Sequence, residues 1–289
     1  MGFRILHLSD THVTASGFDE YGVNTISALE RILHDARHVQ DIDLVLVTGD
    51  VADDGSVEGC LGVRERVGAF AERRAVPHVY TTGNHDDRTA FAEVFGSGHL
   101  DHRGDQYADA KINGPECAAV SMRDGVRIVT LDSLIPGQTH GRLSTAQLEW
   151  LAGLLAEPAP AGTVIALHHP PVHVSTSAFV VAAGLHDAAQ LGAIIAGTDV
   201  MAVLCGHYHL QLSGNLAGIP VWVTPGVVTR IDLTAPGHLV RGVKGASATV
   251  VDLGGPFSPA FHLLHARDPQ AGQEVYLVDT SDLPWIRRD

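Results

Sequence analysis

The chain has 289 residues, enough for one large domain or two small ones, and its hydrophobic content of 45% provides for a sizeable core. Its formal net charge of −14 argues against a surface that coats extended nucleic acid, because no basic run offers phosphate neutralisation. No stretch approaches the length of a membrane span, and the N-terminus lacks the apolar core of a secretory signal. The three scattered cysteines form no CxxC pair, which suits a reducing cytoplasm. We therefore expect a cytoplasmic protein.

The first part of the chain alternates predicted strands and helices. Apolar runs predict strands over residues 3–8, 44–47 and 77–81. Apolar residues at three- and four-residue spacing predict helices over residues 24–39 and 57–75, and a short helix over 89–95 capped by Asp86 or Asp87. The buried side of the second helix is expected to consist of Leu61, Val63, Val67 and Phe70.

The second part continues the alternation and then becomes β-rich. Residues 96–125 read as loop with short strands, and strands are predicted over 126–131, 163–167 and 200–205. Helices are expected to begin at the capping box Ser144–Gln147 and at Asp187. After Gly218 only short β segments with Gly and Pro breaks follow, and no linker separates domains. We expect a single domain over 1–289 whose β-rich portion, 226–289, caps the site or forms a dimer face.

Polar side chains of the metal-ligand type follow five of the predicted strands. They are Asp10 and His12, Asp50, Asn84, His168, and His207 and His209. Each alone has an ordinary structural explanation, such as a turn at the Gly-Asn pair. Buried strands rarely all end in oxygen and nitrogen donors by chance, and the carboxyl ends of strands are where open α/β sheets place ligand sites. On an extended backbone, Asp10 and His12 project from the same face.

The donor set favours two metal ions over one. Two carboxylates, one amide and four imidazoles are too many for one tetrahedral zinc and suit two ions about 3.5–4 Å apart with a shared carboxylate. With two divalent ions, the carboxylates of Asp10 and Asp50 and a bridging hydroxide, the formal local charge is about +1. Such a site attracts a phosphate although the whole chain is acidic.

The motifs, in chain order, carry a family resemblance. They are Asp10-Thr-His12, Gly49-Asp50, Gly83-Asn84-His85-Asp86, His168-His-Pro and Gly206-His207-Tyr-His209. This series resembles the signature of the calcineurin-like metallophosphoesterases. The residues around Asp50, Asn84 and His168 are similar to the bacterial, particularly mycobacterial, class III cyclic-nucleotide phosphodiesterases. The resemblance runs from residue 3 to about residue 235. It implies an α/β fold, a four-layer α/β/β/α sandwich of two mixed sheets flanked by helices, and a homodimer.

The resemblance also implies roles for individual residues. One metal is expected on Asp10, His12, Asp50 and His209, and the second on Asp50, Asn84, His168 and His207. Iron, manganese and zinc all remain open, because mixed nitrogen and oxygen sites accept several ions. His85 is expected to contact the phosphate and assist the leaving group, and Asp53 to orient His85, unless Asp53 is only a turn carboxylate. His140 and His169 are expected near the substrate, with a solvated loop histidine as the alternative for each.

The implied reaction is hydrolysis of a small phosphodiester by in-line attack of a metal-generated hydroxide. Asp54 and Asp86 stand where protein phosphatases of the superfamily have arginine and glutamate, which favours diesters over phosphomonoesters. A 3′,5′- or 2′,3′-cyclic nucleotide leads by resemblance, with glycerophosphodiesters as the alternative. A non-catalytic interaction module of this fold is the alternative from another class, and it predicts missing ligands; none of the seven is missing. Asp132 ends a strand but matches no ligand position, so we expect it to be structural.

Overall fold

A computed structural model describes residues 2–281 of the chain. The described residues form sixteen strands: β1 (Phe3–Leu8), β2 (Leu44–Thr48), β3 (His78–Thr81), β4 (His99–Leu100), β5 (Ala110–Lys111), β6 (Ala119–Arg123), β7 (Val126–Thr130), β8 (Thr163–Ala166), β9 (Val200–Cys205), β10 (Leu212–Leu216), β11 (Ile219–Val223), β12 (Thr229–Asp232), β13 (Leu239–Lys244), β14 (Ser247–Leu253), β15 (Ala260–His265) and β16 (Glu274–Asp279). They form six α-helices: α1 (Thr25–Asp35), α2 (Val57–Glu72), α3 (Arg88–Phe95), α4 (Thr145–Leu155), α5 (Ala178–Ala183) and α6 (Ala188–Ile195). A 3₁₀ turn, Ala36–His38, follows α1.

Two large mixed sheets form the centre of the molecule. The first has the order β15-β14-β1-β2-β3-β4, and the second has the order β10-β11-β9-β8-β7-β6-β5. In the first, β1, β2 and β3 are parallel. In the second, β7, β8, β9 and β11 are parallel. The carboxyl ends of the parallel strands in each sheet therefore lie at one edge, where loops carry polar residues.

Three apolar layers hold four layers of secondary structure together. Between the two sheets, residues such as Ile5 and Leu46 of the first sheet cluster with Ile128 and Leu204 of the second. A second cluster joins the first sheet to α1, α2 and α3. A third joins the second sheet to α4, α5 and α6. The α/β fold with two mixed sheets flanked by helices is thus confirmed, and strands buried on both faces explain the continuous apolar runs in the sequence.

Helix starts follow the predicted capping chemistry. Asp87, one of the two predicted caps, accepts hydrogen bonds from the backbone N–H groups of Thr89 and Ala90, and Ser144 accepts one from Gln147. One packing expectation was wrong: Leu61 of α2 is 48% exposed, whereas Val63, Val67 and Phe70 are buried. Helix α5 and strands β10, β12, β13 and β15 were not predicted, because their short segments carry no sustained periodicity.

The C-terminal segment divides between two sheets. Within residues 226–281, β14 pairs with β1 and extends the first large sheet, and β15 pairs with β14. Strands β12, β13 and β16 form a separate three-stranded sheet in the order β12-β13-β16. The single-domain assignment over 1–289 stays a prediction. Over the described part of the chain, no helix combines the length and the hydrophobicity needed to cross a bilayer.

Candidate metal centre

All seven predicted metal-ligand residues lie together beyond the carboxyl ends of β1, β2, β3, β8 and β9. Four groups of side chains have candidate ligand atoms within 4.8 Å of one another. Three of these groups contain Asp10 or Asp50, both of which are almost fully buried. A cavity of about 280 Å³ opens onto the cluster.

Five of the seven have a left-handed backbone. The φ angles are 55° at Asp10, 43° at His12, 45° at Asp50, 70° at His207 and 50° at His209. The expectation that Asp10 and His12 share an extended face was therefore wrong, because β1 ends at Leu8 and the chain turns. Left-handed backbone at non-glycine residues costs about 1–3 kcal/mol each and concentrates at functional sites.

The first predicted ligand set converges on a small volume. His12 Nε2 lies 3.2 Å from His209 Nε2 and 3.6 Å from Asp50 Oδ2. His209 Nε2 lies 3.3 Å from Asp10 Oδ1. The other nitrogen of each imidazole is already engaged: His12 Nδ1 is 2.7 Å from Asp53 Oδ1, and His209 Nδ1 is 2.8 Å from Thr229 Oγ1. The Asp53 carboxylate accepts a hydrogen bond from the N–H group at His12 Nδ1, so His12 Nε2 keeps its lone pair, as metal-ligating histidines do.

The second predicted set meets on the other side of Asp50. His168 Nε2 lies 3.1 Å from Asp50 Oδ2 and 3.3 Å from Asn84 Oδ1. His168 Nδ1 donates to the Thr48 carbonyl at 2.8 Å, which leaves a lone pair on Nε2. Three electron-pair donors therefore face one another, an arrangement that a bound cation stabilises. His207 Nε2 is buried and has no hydrogen-bond partner among residues 2–281.

Asp50 Oδ2 is thus the atom that both sets share. Its other oxygen, Oδ1, accepts a hydrogen bond from the His85 backbone N–H at 2.9 Å, which fixes the carboxylate. Glycine directly precedes both Asp50 and Asn84, and the space there is too small for a side chain. A Cβ at Gly83 would lie 2.2 Å from the Asp50 nitrogen, and one at Gly49 would lie 2.4 Å from the His168 ring.

The electrostatics of the cluster favour a cation between Asp50 and His168. Burial alone would lower the pKa of His168, but the charge and hydrogen bond of Asp50 outweigh it and raise that pKa to about 9. Burial works in the opposite direction on Asp50, yet His168 and His85 hold its pKa well below the usual range. Burial, reinforced by the charge of His168, lowers the pKa of His207 to about 3, so His207 is a neutral imidazole available to a metal.

Asp53 contacts His12 more closely than it contacts His85. The Asp53 carboxylate lies 2.7 Å from His12 Nδ1 but 3.4 Å from His85 Nδ1. The contact to His85 Nδ1 comes instead from the Asp53 backbone carbonyl, at 3.0 Å. The side chain of Asp53 therefore supports a candidate metal ligand first, and its predicted action on His85 runs mainly through the backbone.

The two predicted substrate contacts lie outside the cavity lining. His169 is fully buried; its Nδ1 is 2.7 Å from Ser133 Oγ, and its Nε2 is 3.2 Å from the Thr139 carbonyl. Both of its ring nitrogens are thus engaged by the protein. His140 stacks on His186 with ring centroids 4.0 Å apart. Substrate contact by either histidine stays a prediction.

Asp86 is a supporting residue whose role was missed in the sequence. Its carboxylate accepts hydrogen bonds from the backbone N–H groups of Val51, Ala52 and Gly83 at 3.1, 2.9 and 2.8 Å. It joins the loop after β2 to the loop after β3 and so fixes Asp50 relative to Asn84. Burial, with the charge of Asp50, raises the pKa of Asp86 to about 7. Its place two residues after Asn84 was the only sequence signal.

The residues present fit a metal centre. Histidines whose second nitrogen is hydrogen-bonded, buried carboxylates and the unpartnered His207 Nε2 are the pattern that holds transition metals. The α/β sandwich and this cluster together define the class of metal-binding phosphoesterases. The family model of the calcineurin-like phosphoesterases matches residues 3–211, and the chain belongs to that family. It is a hydrolase of phosphate esters.

Known proteins resemble the chain over most of its length. It is 37% identical over 246 residues to a cAMP/cGMP dual specificity phosphodiesterase of Mycobacterium tuberculosis, covering 84% of this chain and 73% of the relative. It is 30% identical to the 3′,5′-cyclic adenosine monophosphate phosphodiesterase CpdA of Escherichia coli K12, covering 81% and 82%. A solved structure from Thermus thermophilus, TT1561, shares the fold with a TM-score of 0.53 at 12% identity, covering 92% and 100%.

Proposed function

We propose that the protein is a phosphodiesterase that hydrolyses a cyclic nucleotide at two metal ions held by the seven-residue cluster. The observation that carries the proposal is the position of Asp50 Oδ2 between His12 and His168, which suits a carboxylate shared by two ions. The two relatives named above, both cyclic-nucleotide phosphodiesterases, support the substrate class.

The charge of the cavity supports a role for bound cations. Among the described residues that line it, four are acidic and none is lysine or arginine; the acidic ones are Asp19, Glu20, Asp50 and Asp53. Such a lining repels a phosphate unless cations neutralise it. When bound, two divalent ions lower the pKa of water and polarise the phosphoryl oxygens.

The protein's own groups then position the reaction. His12 and His168 are held in one tautomer and orientation by Asp53 and by the Thr48 carbonyl. The side chain of His85 is 41% exposed and lines the cavity beside Asp50. Burial opposes protonation of His85, but Asp50 and Asp53 outweigh it and raise its pKa. This shift favours the protonated form, which can donate to a phosphoryl oxygen or to the departing alkoxide.

A substrate panel tests the proposed activity. With manganese-reconstituted protein, we expect kcat/KM for 3′,5′-cAMP or 2′,3′-cAMP to exceed that for a glycerophosphodiester and for a phosphomonoester by about tenfold or more, a difference of ~1.4 kcal/mol in transition-state binding. A preference for the phosphomonoester or the glycerophosphodiester would contradict the cyclic-nucleotide assignment.

Metal analysis tests the proposed ligand sets separately. Asn84 and His207 belong to the second set only, so Asn84→Ala or His207→Ala is expected to remove one of the two ions and most of the turnover. Elemental analysis of dialysed protein measures the metal, and Leu61→Ala on the exposed face of α2 is a matched control. Unchanged metal content and rate in both variants would refute the assignment. The homodimer and the cytoplasmic location stay predictions.

A further inference from the structure

Residues of the three-stranded sheet line the cavity together with residues of the metal cluster. Tyr276 and Val278 of β16 line the cavity, and Leu277 between them is not part of the lining and is 45% exposed. This alternation is the period of a strand with one face toward the cavity. Val240 of β13 and Ile231 of β12 complete the surface. We call these four residues with Tyr21 the apolar wall.

The tyrosine ring of the apolar wall is held in a defined orientation. Tyr276 pairs directly with Gly242 on β13, and a Cβ at Gly242 would lie 2.2 Å from the Tyr276 ring. The glycine therefore lets the ring lie across the neighbouring strand, which limits its motion. The ring of Tyr21 approaches from the loop before α1, with centroids 4.4 Å apart and planes inclined by 34°. The rings of Tyr21 and Tyr276 thus lie against each other in the cavity lining.

The metal cluster and the apolar wall, which share one cavity, suit the two parts of one molecule. The cluster offers imidazoles and carboxylates for a phosphate and its metals, and the apolar wall offers two rings and three aliphatic side chains. Burial raises the pKa of Tyr276 to about 12, so its hydroxyl stays neutral and the ring adds no charge at neutral pH. A nucleotide has the matching pair of ends: an anionic phosphate and a flat, largely apolar base that stacks on aromatic rings.

We propose that the apolar wall is the subsite for the nucleobase of the substrate. This inference rests on the proposed function and deepens it, because it assigns the residues that distinguish a cyclic nucleotide from a diester without a base. A glycerol headgroup has no π-face and gains nothing from Tyr21 and Tyr276. Base–aromatic stacking is sequence-tolerant, so the subsite is expected to accept both adenine and guanine.

The experiment compares substrates with and without a base. For the manganese-reconstituted chain, Tyr276→Ala and Tyr21→Ala are expected to raise KM for 3′,5′-cAMP by about tenfold, with kcat changed by less than about threefold. Turnover of the abasic analogue, 1-deoxyribose 3,5-cyclic phosphate, is expected to stay unchanged. Tyr276→Phe keeps the ring and is expected to keep the wild-type KM. Leu277→Ala, on the same strand but facing away from the cavity, is the matched control.

Product binding gives a second readout that does not depend on turnover. By calorimetry, AMP is expected to bind wild-type protein about tenfold more tightly than ribose 5-phosphate does, and both alanine variants are expected to remove that advantage. If Tyr276→Ala lowered kcat/KM equally for cAMP and for the abasic analogue, the subsite would be overturned. That result would mean that Tyr276 acts on the metal cluster through its neighbour Thr229. Equal binding of AMP and ribose 5-phosphate to the wild type would also overturn it. Wild-type protein that hydrolyses neither cyclic diester but hydrolyses a phosphomonoester would refute the proposed function alone, and the AMP comparison would still decide the subsite.

Discussion

Two buried carboxylates, Asp50 and Asp132, have the same local sequence setting and different surroundings. Each follows a buried strand by two residues, Asp50 after β2 and Asp132 after β7, and each has a threonine two positions before it. Asp50 is 2% exposed and Asp132 is fully buried. Asp50 lies in the candidate metal centre, whereas Asp132 lies in a network of protein hydrogen bonds. A strand end alone therefore does not make a metal ligand.

The difference lies in what faces each carboxylate. Arg88 Nε lies 2.6 Å from Asp132 Oδ2, and Thr82 Oγ1 and the Cys117 backbone nitrogen donate at 2.8 Å each. Asp50 has instead His168 at 3.1 Å, and no lysine or arginine of the described chain lines its cavity. Arg88, from a distant segment of the chain, pairs with Asp132 and compensates its charge. Beside Asp50 the described chain places histidines instead, and a bound cation would complete the compensation.

Asp50→Ala is expected to have the largest effect on metal content and rate. Since both predicted ligand sets use this carboxylate, we expect loss of both metals and a fall in kcat of at least about 10⁴-fold, or ~5.5 kcal/mol. Elemental analysis and initial rates measure the two effects. If the variant keeps either metal at wild-type occupancy, Asp50 is not the shared ligand.

Asp132→Ala should affect folding rather than the reaction. It leaves the partly buried Arg88 without its carboxylate, and we expect the free energy of unfolding to fall by about 3–5 kcal/mol. Metal content and kcat per folded molecule should stay within about twofold of wild type. Urea unfolding measures the free energy of unfolding. The Asp50→Ala variant is the control, because it is expected to lose metal and rate instead. A stable Asp132→Ala protein that loses metal would place Asp132 in the centre.

Asp53→Asn tests whether the contact between Asp53 and His12 supports metal binding. Because its carboxylate contacts His12 Nδ1 at 2.7 Å, we expect metal affinity to fall by about 10- to 100-fold. Competition with a chelator measures this affinity. His85→Asn, which leaves the predicted ligands in place, should lower the rate at normal affinity. Unchanged metal affinity with a lower rate in Asp53→Asn would instead restore the prediction that Asp53 acts through His85.

Two buried histidines, His99 and His168, differ in the direction of their pKa shifts. Burial lowers the pKa of His99 to about 3, whereas that of His168 is raised to about 9. His99 is fully buried between Ser121 and Thr130, with ring nitrogens 2.7 and 2.9 Å from their hydroxyls. As pH falls below about 6.5, His99 takes up a proton in the unfolded chain but not in the folded chain. This one site therefore lowers the free energy of unfolding by up to ~1.4 kcal/mol per pH unit.

His99→Gln should therefore reduce the slope of the free energy of unfolding against pH, on the acid side, by the equivalent of about one proton. Urea unfolding at several pH values between about 4.5 and 6.5 measures this slope. His262→Gln on exposed β15 serves as the control and should leave it unchanged. A profile for His99→Gln parallel to that of the wild type would mean that His99 is protonated in the folded protein.

Much of the fold was predictable, because strands buried on both faces and capped amphipathic helices leave strong local patterns. The gathering of the ligand residues was predicted as well, since parallel strands end at one edge. The different partners of Asp50 and Asp132 were not, because Arg88 lies 44 positions before Asp132 and no local pattern joins them. The pairing of Asp53 with His12, 41 positions apart, escaped prediction for the same reason.

Thr229 of the three-stranded sheet supports the candidate metal centre from outside the matched family region. This first residue of β12 holds Nδ1 of His209 at 2.8 Å, yet it lies 18 positions beyond the end of the matched family region at residue 211. A chain shortened to that region would retain all seven candidate ligands and lose the hydroxyl that orients one of them. Residues beyond the matched segment therefore support the candidate metal centre, and the three-stranded sheet supplies one of them.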